Sequence, residues 1–185
     1  EFICQYEKYY MLMNPSPLFS ATMHECVERG MDAYEGGAKD AEMGGNIYAA
    51  ARAYVTMTGG VIEDGSATST GGNIFTSNSS LNSLTISGGV IRGGTAKDGG
   101  NIFAGGRLEI SGGAVINGTA TGRGGNIALK TTALNATFNM KGGCVTQGEA
   151  GNGGNLWAYA EKTYRATVNI TGGSIGGAVT VDGVE

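Results

Sequence analysis

The chain has 185 residues, of which 35 are glycine and two are proline, and its formal net charge is −4. Glycine far exceeds its usual share of about 7 %, yet it lacks the every-third-residue period of collagen, and proline is too scarce for a disordered Pro/Gly tract. The acidic balance argues against nucleic acid as a partner. No apolar run approaches the ~18 residues that a membrane-spanning helix requires.

The first 43 residues differ from the rest of the chain. They open with the aromatic stretch EFICQYEKYYMLM, followed by the breaker NPSP. Apolar side chains then recur at three- and four-residue spacing, at Phe19, Met23, Cys26 and Val27, and the pattern stops at Gly30. This spacing predicts a short amphipathic helix. We therefore expect residues 1–43 to be a partly helical N-terminal cap or an assembly segment.

Cysteine and histidine are too few for metal chemistry. Cys4, Cys26 and Cys144 include no CxxC pair, and His24 is the only histidine, so we predict neither a metal site nor a cofactor. Cys4 and Cys26 could form a disulfide in an oxidising compartment, and the sequence leaves that open.

From residue 44 onward the chain is built on two alternating glycine doublets. The motif GGN begins at Gly44, Gly71, Gly99, Gly124 and Gly153, and a second doublet begins at Gly59, Gly88, Gly112, Gly142 and Gly172. The arc from the second doublet to the next GGN is always 11 or 12 residues, whereas the arc from GGN to the second doublet varies from 13 to 19. A repeat of this length indicates a solenoid.

Within each unit the apolar residues alternate with polar ones, which is the period of a half-buried β-strand. The segments YVTMTGG, SLTISGG, RLEISGG, TFNMKGG and TVNITGG each show this alternation. Apolar residues also recur at a fixed position after each doublet, and such a set of equivalent positions in successive repeats forms a column along the solenoid. One column consists of alanines, at Ala67, Ala96, Ala120 and Ala150. Residues 44–185 thus predict a right-handed parallel β-helix of five to six turns, with three short strands per turn and the alanines at a tight corner. Glycine at each corner allows φ > 0.

Two further columns flank the GGN motif. The asparagines are expected to stack as a structural ladder along one corner; they are Asn46, Asn73, Asn101, Asn126 and Asn155. Four units place an aromatic residue two positions after the asparagine, at Tyr48, Phe75, Phe103 and Trp157. Alternation turns these rings away from the aliphatic core, and we expect an outward stack that either braces the variable arc or faces a ligand such as a sugar.

Candidate residues for catalysis are sparse. Glu63, Asp64, Arg92, Lys97 and Asp98 lie on successive turns of one arc, where a carbohydrate-active β-helix would place its carboxylates and its base. Outward threonines on the strands before the second doublet raise a third function, ice binding, although Glu109 and Lys141 interrupt that row.

The unit tISGGvIxxGtAxxxGGNIf resembles the GG-rich right-handed β-helix repeats of bacterial surface and adhesin-like proteins. It is more distantly similar to the GGAI repeats of chlamydial polymorphic outer-membrane proteins, although this chain has GGNI and no FxxN motif. The resemblance covers residues 44–177 and implies a secreted or cell-surface protein that serves as an adhesin or stalk.

We therefore expect a non-enzymatic structural or adhesive module, with a carbohydrate-active β-helix and an ice-binding protein as the alternatives. The final stretch VNITGGSIGGAVTVDGVE shows no cap pattern. An uncovered solenoid end offers free strand edges to other chains. The expected partners are accordingly further repeats of a longer parent chain or another copy stacked end to end through EFICQYEKYYMLM, together with carbohydrate as a candidate ligand.

Overall fold

The computed structural model describes residues 41–176, which form sixteen β-strands and contain no α-helix. In chain order the strands are β1 Ile47–Ala49, β2 Tyr54–Met57, β3 Val61–Glu63, β4 Ile74–Thr76, β5 Ser83–Ile86, β6 Val90–Arg92, β7 Thr95–Asp98, β8 Ile102–Ala104, β9 Arg107–Ile110, β10 Ala114–Ile116, β11 Thr119–Arg123, β12 Ile127–Thr131, β13 Ala136–Thr146, β14 Glu149–Asn152, β15 Leu156–Ala160 and β16 Ala166–Ile175. The chain divides into the units Glu1–Gly37 and Ala38–Glu185. The predicted N-terminal helix and the Cys4–Cys26 pair lie outside the described residues.

All the strand pairs are parallel, and each strand pairs with its counterpart one repeat away. The first sheet has the order β1-β4-β8-β12-β15, and the third has the order β7-β11-β14. The second sheet has the order β2-β5-β9-β13-β10-β6-β3, with β16 paired to the long strand β13. This is the parallel β-solenoid that the glycine spacing predicts, with about four turns in the described residues.

The turns β4–β7 and β8–β11 hold four strands rather than the predicted three, whereas the next turn holds three because β13 runs on through the second doublet. The alanine column does not sit at a corner, because Ala96, Ala120 and Ala150 lie on β7, β11 and β14. Ala96 and Ala120 are buried within those strands. The sequence did not reveal these strands because their apolar face consists of one small residue per turn, which gives too short an alternation to recognise.

The core is a continuous stack of aliphatic side chains from the first and second sheets. Its fully buried members include Ile74, Leu84, Ile86, Ile91, Ile102, Leu108, Ile110, Val115, Ile127, Phe138, Met140 and Val145. The predicted apolar columns supply nearly all of it. Column residues of the first and last described turns are less covered, and Ile170 is the most exposed at 53 % because β16 is the last described strand of its sheet.

Glycine is required at the corners for two separate reasons. Gly99, the first residue of a GGN motif, has φ of 69°, a conformation that disfavours every residue with a Cβ. A Cβ on its neighbour Gly100 would collide with the carbonyl oxygen of Gly125 in the next turn. The doublet therefore combines a left-handed turn with the close approach of two backbones.

Each turn also has a third corner, which the alignment of the sequence on its glycine doublets does not reveal. It contains one glycine per turn, at Gly65, Gly94, Gly118 and Gly148, of which the first three are buried, and each is preceded by a residue with positive φ. That preceding residue is Asp64, Gly93, Asn117 or Gln147. Because its identity changes from turn to turn, the sequence does not display this corner as a doublet.

Candidate functional site

The five GGN asparagines form a hydrogen-bonded ladder along the corner that precedes the first sheet. Each amide Nδ2 donates to the Oδ1 of the asparagine in the next turn, over 2.7 Å for the first three pairs and 2.9 Å from Asn126 to Asn155. Asn73, Asn101 and Asn126 are fully buried. Their polar atoms are thus committed to one another and to the backbone.

Asn101 shows how completely an inner asparagine is engaged. Its Nδ2 donates to Asn126 Oδ1 over 2.7 Å and to the Ile116 carbonyl over 2.8 Å. Its Oδ1 accepts from Asn73 Nδ2 over 2.7 Å and from the Gly94 N–H over 2.9 Å. Both amide hydrogens and both acceptor positions are satisfied, so the ladder has a structural role at this corner.

The two ends of the ladder are chemically different. Within residues 41–176, nothing donates to the Oδ1 of Asn46 and nothing accepts from the Nδ2 of Asn155. Among the described residues, the first asparagine of the ladder therefore has an unpaired amide acceptor and the last has unpaired amide donors.

The aromatic column does not form one outward stack. Tyr48 stacks on Phe75 with ring centroids 5.1 Å apart, and Phe75 stacks on Phe103 at 5.4 Å. These rings belong to a cluster separate from the aliphatic core, as the alternation requires. Phe75 and Phe103 are only 7 % and 5 % exposed, so of the two expected roles these rings fit bracing rather than contact with a ligand. Tyr48 is 55 % exposed.

Trp157 packs against this cluster, but its ring stacks on another residue. Ala128 separates it from the Phe103 ring along the column, and Trp157 stacks instead on Tyr159, with centroids 5.5 Å apart and the planes inclined by 5°. The guanidinium carbon of Arg123 lies 4.9 Å from the centre of the Trp157 ring. The three side chains form a cation–π and aromatic row on the surface of the last two turns.

This row borders a cleft of about 510 Å³, lined by Arg123, Lys130, Thr132, Asn152, Trp157, Tyr159 and Glu161. The sequence interpretation included only Trp157 among these. One sequence signal could have indicated this cleft. The segments from GGN to the second doublet are longest in the fourth and fifth repeats, at 18 and 19 residues. The extra residues lengthen β12 and β15 to five residues, compared with three in β1, β4 and β8.

The predicted acid–base cluster is divided by the third corner. Glu63 and Arg92 are cross-strand neighbours on β3 and β6 and form an ion pair of 2.7 Å. Lys97 and Asp98 lie on β7, in a different sheet, and Asp98 is buried. The structure therefore pairs Arg92 with Glu63, leaves Asp64 beside them with its N–H donating to the Arg92 carbonyl, and places Lys97 and Asp98 in another sheet.

The outward-facing side chains of the second sheet include a cluster of three charged residues on β9 and β13. Glu109 forms ion pairs with Lys141 at 2.8 Å and with Arg107 at 2.9 Å. Hydrogen bonds from Lys141 and then Arg107 hold the pKa of Glu109 below its ordinary value. This triad interrupts the threonines that suggested ice binding.

Compared with known protein families, with characterised proteins and with solved structures, the chain shows no significant match. In the part of the chain that the structure describes, no helix has the length and hydropathy to cross a membrane, and no group of three or more metal-ligating side chains is assembled.

Proposed function

We propose that this chain is a non-enzymatic structural module of a secreted or cell-surface protein, which extends by stacking end to end on another copy of itself. The observation that carries this proposal is the unfinished asparagine ladder. A second copy in the same orientation would bring its Asn46 Oδ1 to the Nδ2 of Asn155, and this contact would repeat the bond made between all the inner turns.

Apolar surface at both ends supports the same contact. Ile47, Val55 and Ile62 of the first described turn are only partly buried, as are Leu156, Val168 and Ile175 of the last, whereas their counterparts in the inner turns are fully buried. Ile170 is 53 % exposed at one end. Covering such a side chain contributes about 1 kcal/mol or more, and β15 and β16, which are the last described strands of their sheets, would add backbone hydrogen bonds.

A head-to-tail contact of this kind does not close on itself, so it generates a fibre rather than a dimer. The ion pair between Glu63 and Arg92 further supports a structural role, because it uses the best candidate base to neutralise a candidate acid. The secreted or surface location rests on the resemblance of the repeats.

Sedimentation velocity over a range of protein concentrations tests the proposal. We expect assemblies that grow with concentration, and we expect Ile170→Lys to convert them to monomers because it places a charge in the end contact. The matched control is Thr119→Lys, which puts the same side chain on an exposed position of the middle strand β11.

The two variants should keep the wild-type circular dichroism spectrum, since both positions are exposed. A wild-type chain that sediments as a monomer at every concentration contradicts the proposal. Equal loss of assembly in Ile170→Lys and Thr119→Lys would contradict it as well, because the contact would then not lie at the end.

A further inference from the structure

We propose that the cleft bordered by Trp157 and Tyr159 is a binding site for an acidic saccharide. This inference goes beyond the structural role and does not depend on it. The site is assembled from adjacent turns: Lys130 on β12 is the cross-strand partner of Tyr159 on β15, and Arg123 on β11 pairs in register with Asn152 on β14.

The aromatic part of the cleft is held in position before any ligand arrives. Trp157 and Tyr159 are two residues apart on one strand, so both project from the same side of the sheet. Their parallel stacking and the Arg123 guanidinium over Trp157 fix the orientation of the rings. Tyr159 remains 44 % exposed, which leaves ring surface for the apolar C–H face of a pyranose. A rigid aromatic surface lowers the entropy cost of binding.

The charged side chains of the cleft form no ion pairs within residues 41–176, which distinguishes them from three other cations of the solenoid. Arg92, Arg107 and Lys141 all form ion pairs with glutamates. Within residues 41–176, no hydrogen bond or ion pair engages the guanidinium of Arg123 or the ammonium of Lys130. The carboxylate of Glu161 likewise has no such partner in that range. Arg123, whose guanidinium lies over the Trp157 ring, and Lys130 outnumber the single carboxylate of Glu161, so the cleft has a net positive charge in a chain whose formal charge is −4.

This combination of groups matches one ligand chemistry. The cations suit a carboxylate or sulfate, because charge-assisted hydrogen bonds to such anions are stronger than hydrogen bonds between neutral groups. Asn152, Thr132 and Glu161 offer the mixture of donors and acceptors that sugar hydroxyls require. A cleft of about 510 Å³ is in the range of small-ligand sites and accommodates one or two sugar rings. Acidic peptides lack the flat C–H face that Tyr159 would contact.

The experiment uses the intrinsic fluorescence of Trp157, which is the only tryptophan in the chain and therefore reports on the cleft alone. The intact chain is titrated with a galacturonate tetrasaccharide, with its methyl ester, with a sulfated tetrasaccharide and with hexaglutamate. We expect saturable binding of an acidic saccharide at micromolar to millimolar concentrations. The methyl ester should bind about tenfold more weakly, because it loses a charge-assisted hydrogen bond.

Two variants that retain Trp157 test the assignment of residues. Tyr159→Ala and Arg123→Gln should each weaken binding about tenfold. The matched controls are Tyr54→Ala, whose side chain is 72 % exposed in the first turn, and Lys97→Gln on β7. Both controls should bind like the wild type, and circular dichroism should show that all four variants are folded.

Binding of the galacturonate or of the sulfated saccharide alone would identify which acidic group the cleft prefers, and either result supports the proposal. Four outcomes overturn it: no saturable fluorescence change with either acidic saccharide, equal affinity for the methyl ester, unchanged affinity in Tyr159→Ala, or hexaglutamate binding as tightly as the sugars.

Discussion

Replacing Asn101 by alanine tests whether the asparagine ladder holds the turns together. The substitution removes four hydrogen bonds of 2.7 to 2.9 Å from a fully buried side chain. It also leaves the Gly94 N–H without its acceptor. At about 1 kcal/mol for each net hydrogen bond, with an added cost for the orphaned donor, we expect a loss of about 3–5 kcal/mol in the free energy of unfolding.

The matched control is Asn46→Ala, the same change on the first rung. Asn46 is exposed and makes two hydrogen bonds, to Asn73 Oδ1 and to the Glu63 carbonyl, where water can replace the lost side chain. We expect a loss of about 1 kcal/mol or less. Urea unfolding followed by circular dichroism measures both. Losses of similar size in the two variants would refute the idea that burial of the ladder is what makes it stabilising.

Three other substitutions probe the core, a corner and a surface charge. Ile110→Asp should prevent folding, because it buries an unpaired carboxylate among the aliphatic side chains of the core; a wild-type melting curve would contradict this. Gly100→Ala should lower the free energy of unfolding by more than about 2 kcal/mol, because the new Cβ would collide with backbone atoms of the next turn. Gly59→Ala is the control and should be nearly neutral, since a Cβ there would have no atom within 4 Å. Equal melting temperatures for the two variants would contradict the close approach of the two backbones at Gly100. The pKa of Glu109 is lowered in the fold, so its contribution is present above its unfolded pKa of about 4.3 and is lost as the pH falls through the folded value. Glu109→Gln should remove that part of the acid dependence, and an unchanged pH profile of stability would show that the triad contributes nothing.

The aromatic residues show where reasoning from the sequence stops. Period-two alternation correctly separates Phe75 and Phe103 from the aliphatic core, because neighbouring residues of a strand face opposite ways. The alternation does not indicate whether other residues cover the outer face of the first sheet, and the structure shows that both rings are buried. Nor does it reveal that a single alanine, Ala128, separates the Trp157 ring from Phe103, which redirects Trp157 to Tyr159.

The sequence by itself determined the solenoid, its inward register and the positions of most corners. It could do so because every turn must satisfy the same backbone constraints, so glycine, asparagine and the aliphatic residues recur at fixed offsets. The tertiary structure alone decided the features that do not repeat. Arg123 and Tyr159 are 36 residues apart in the sequence, and only the stacking of β11, β12, β14 and β15 brings their strands to one cleft. A feature present once leaves no periodic signal, and its chemistry depends on which unrelated side chains the turns place side by side.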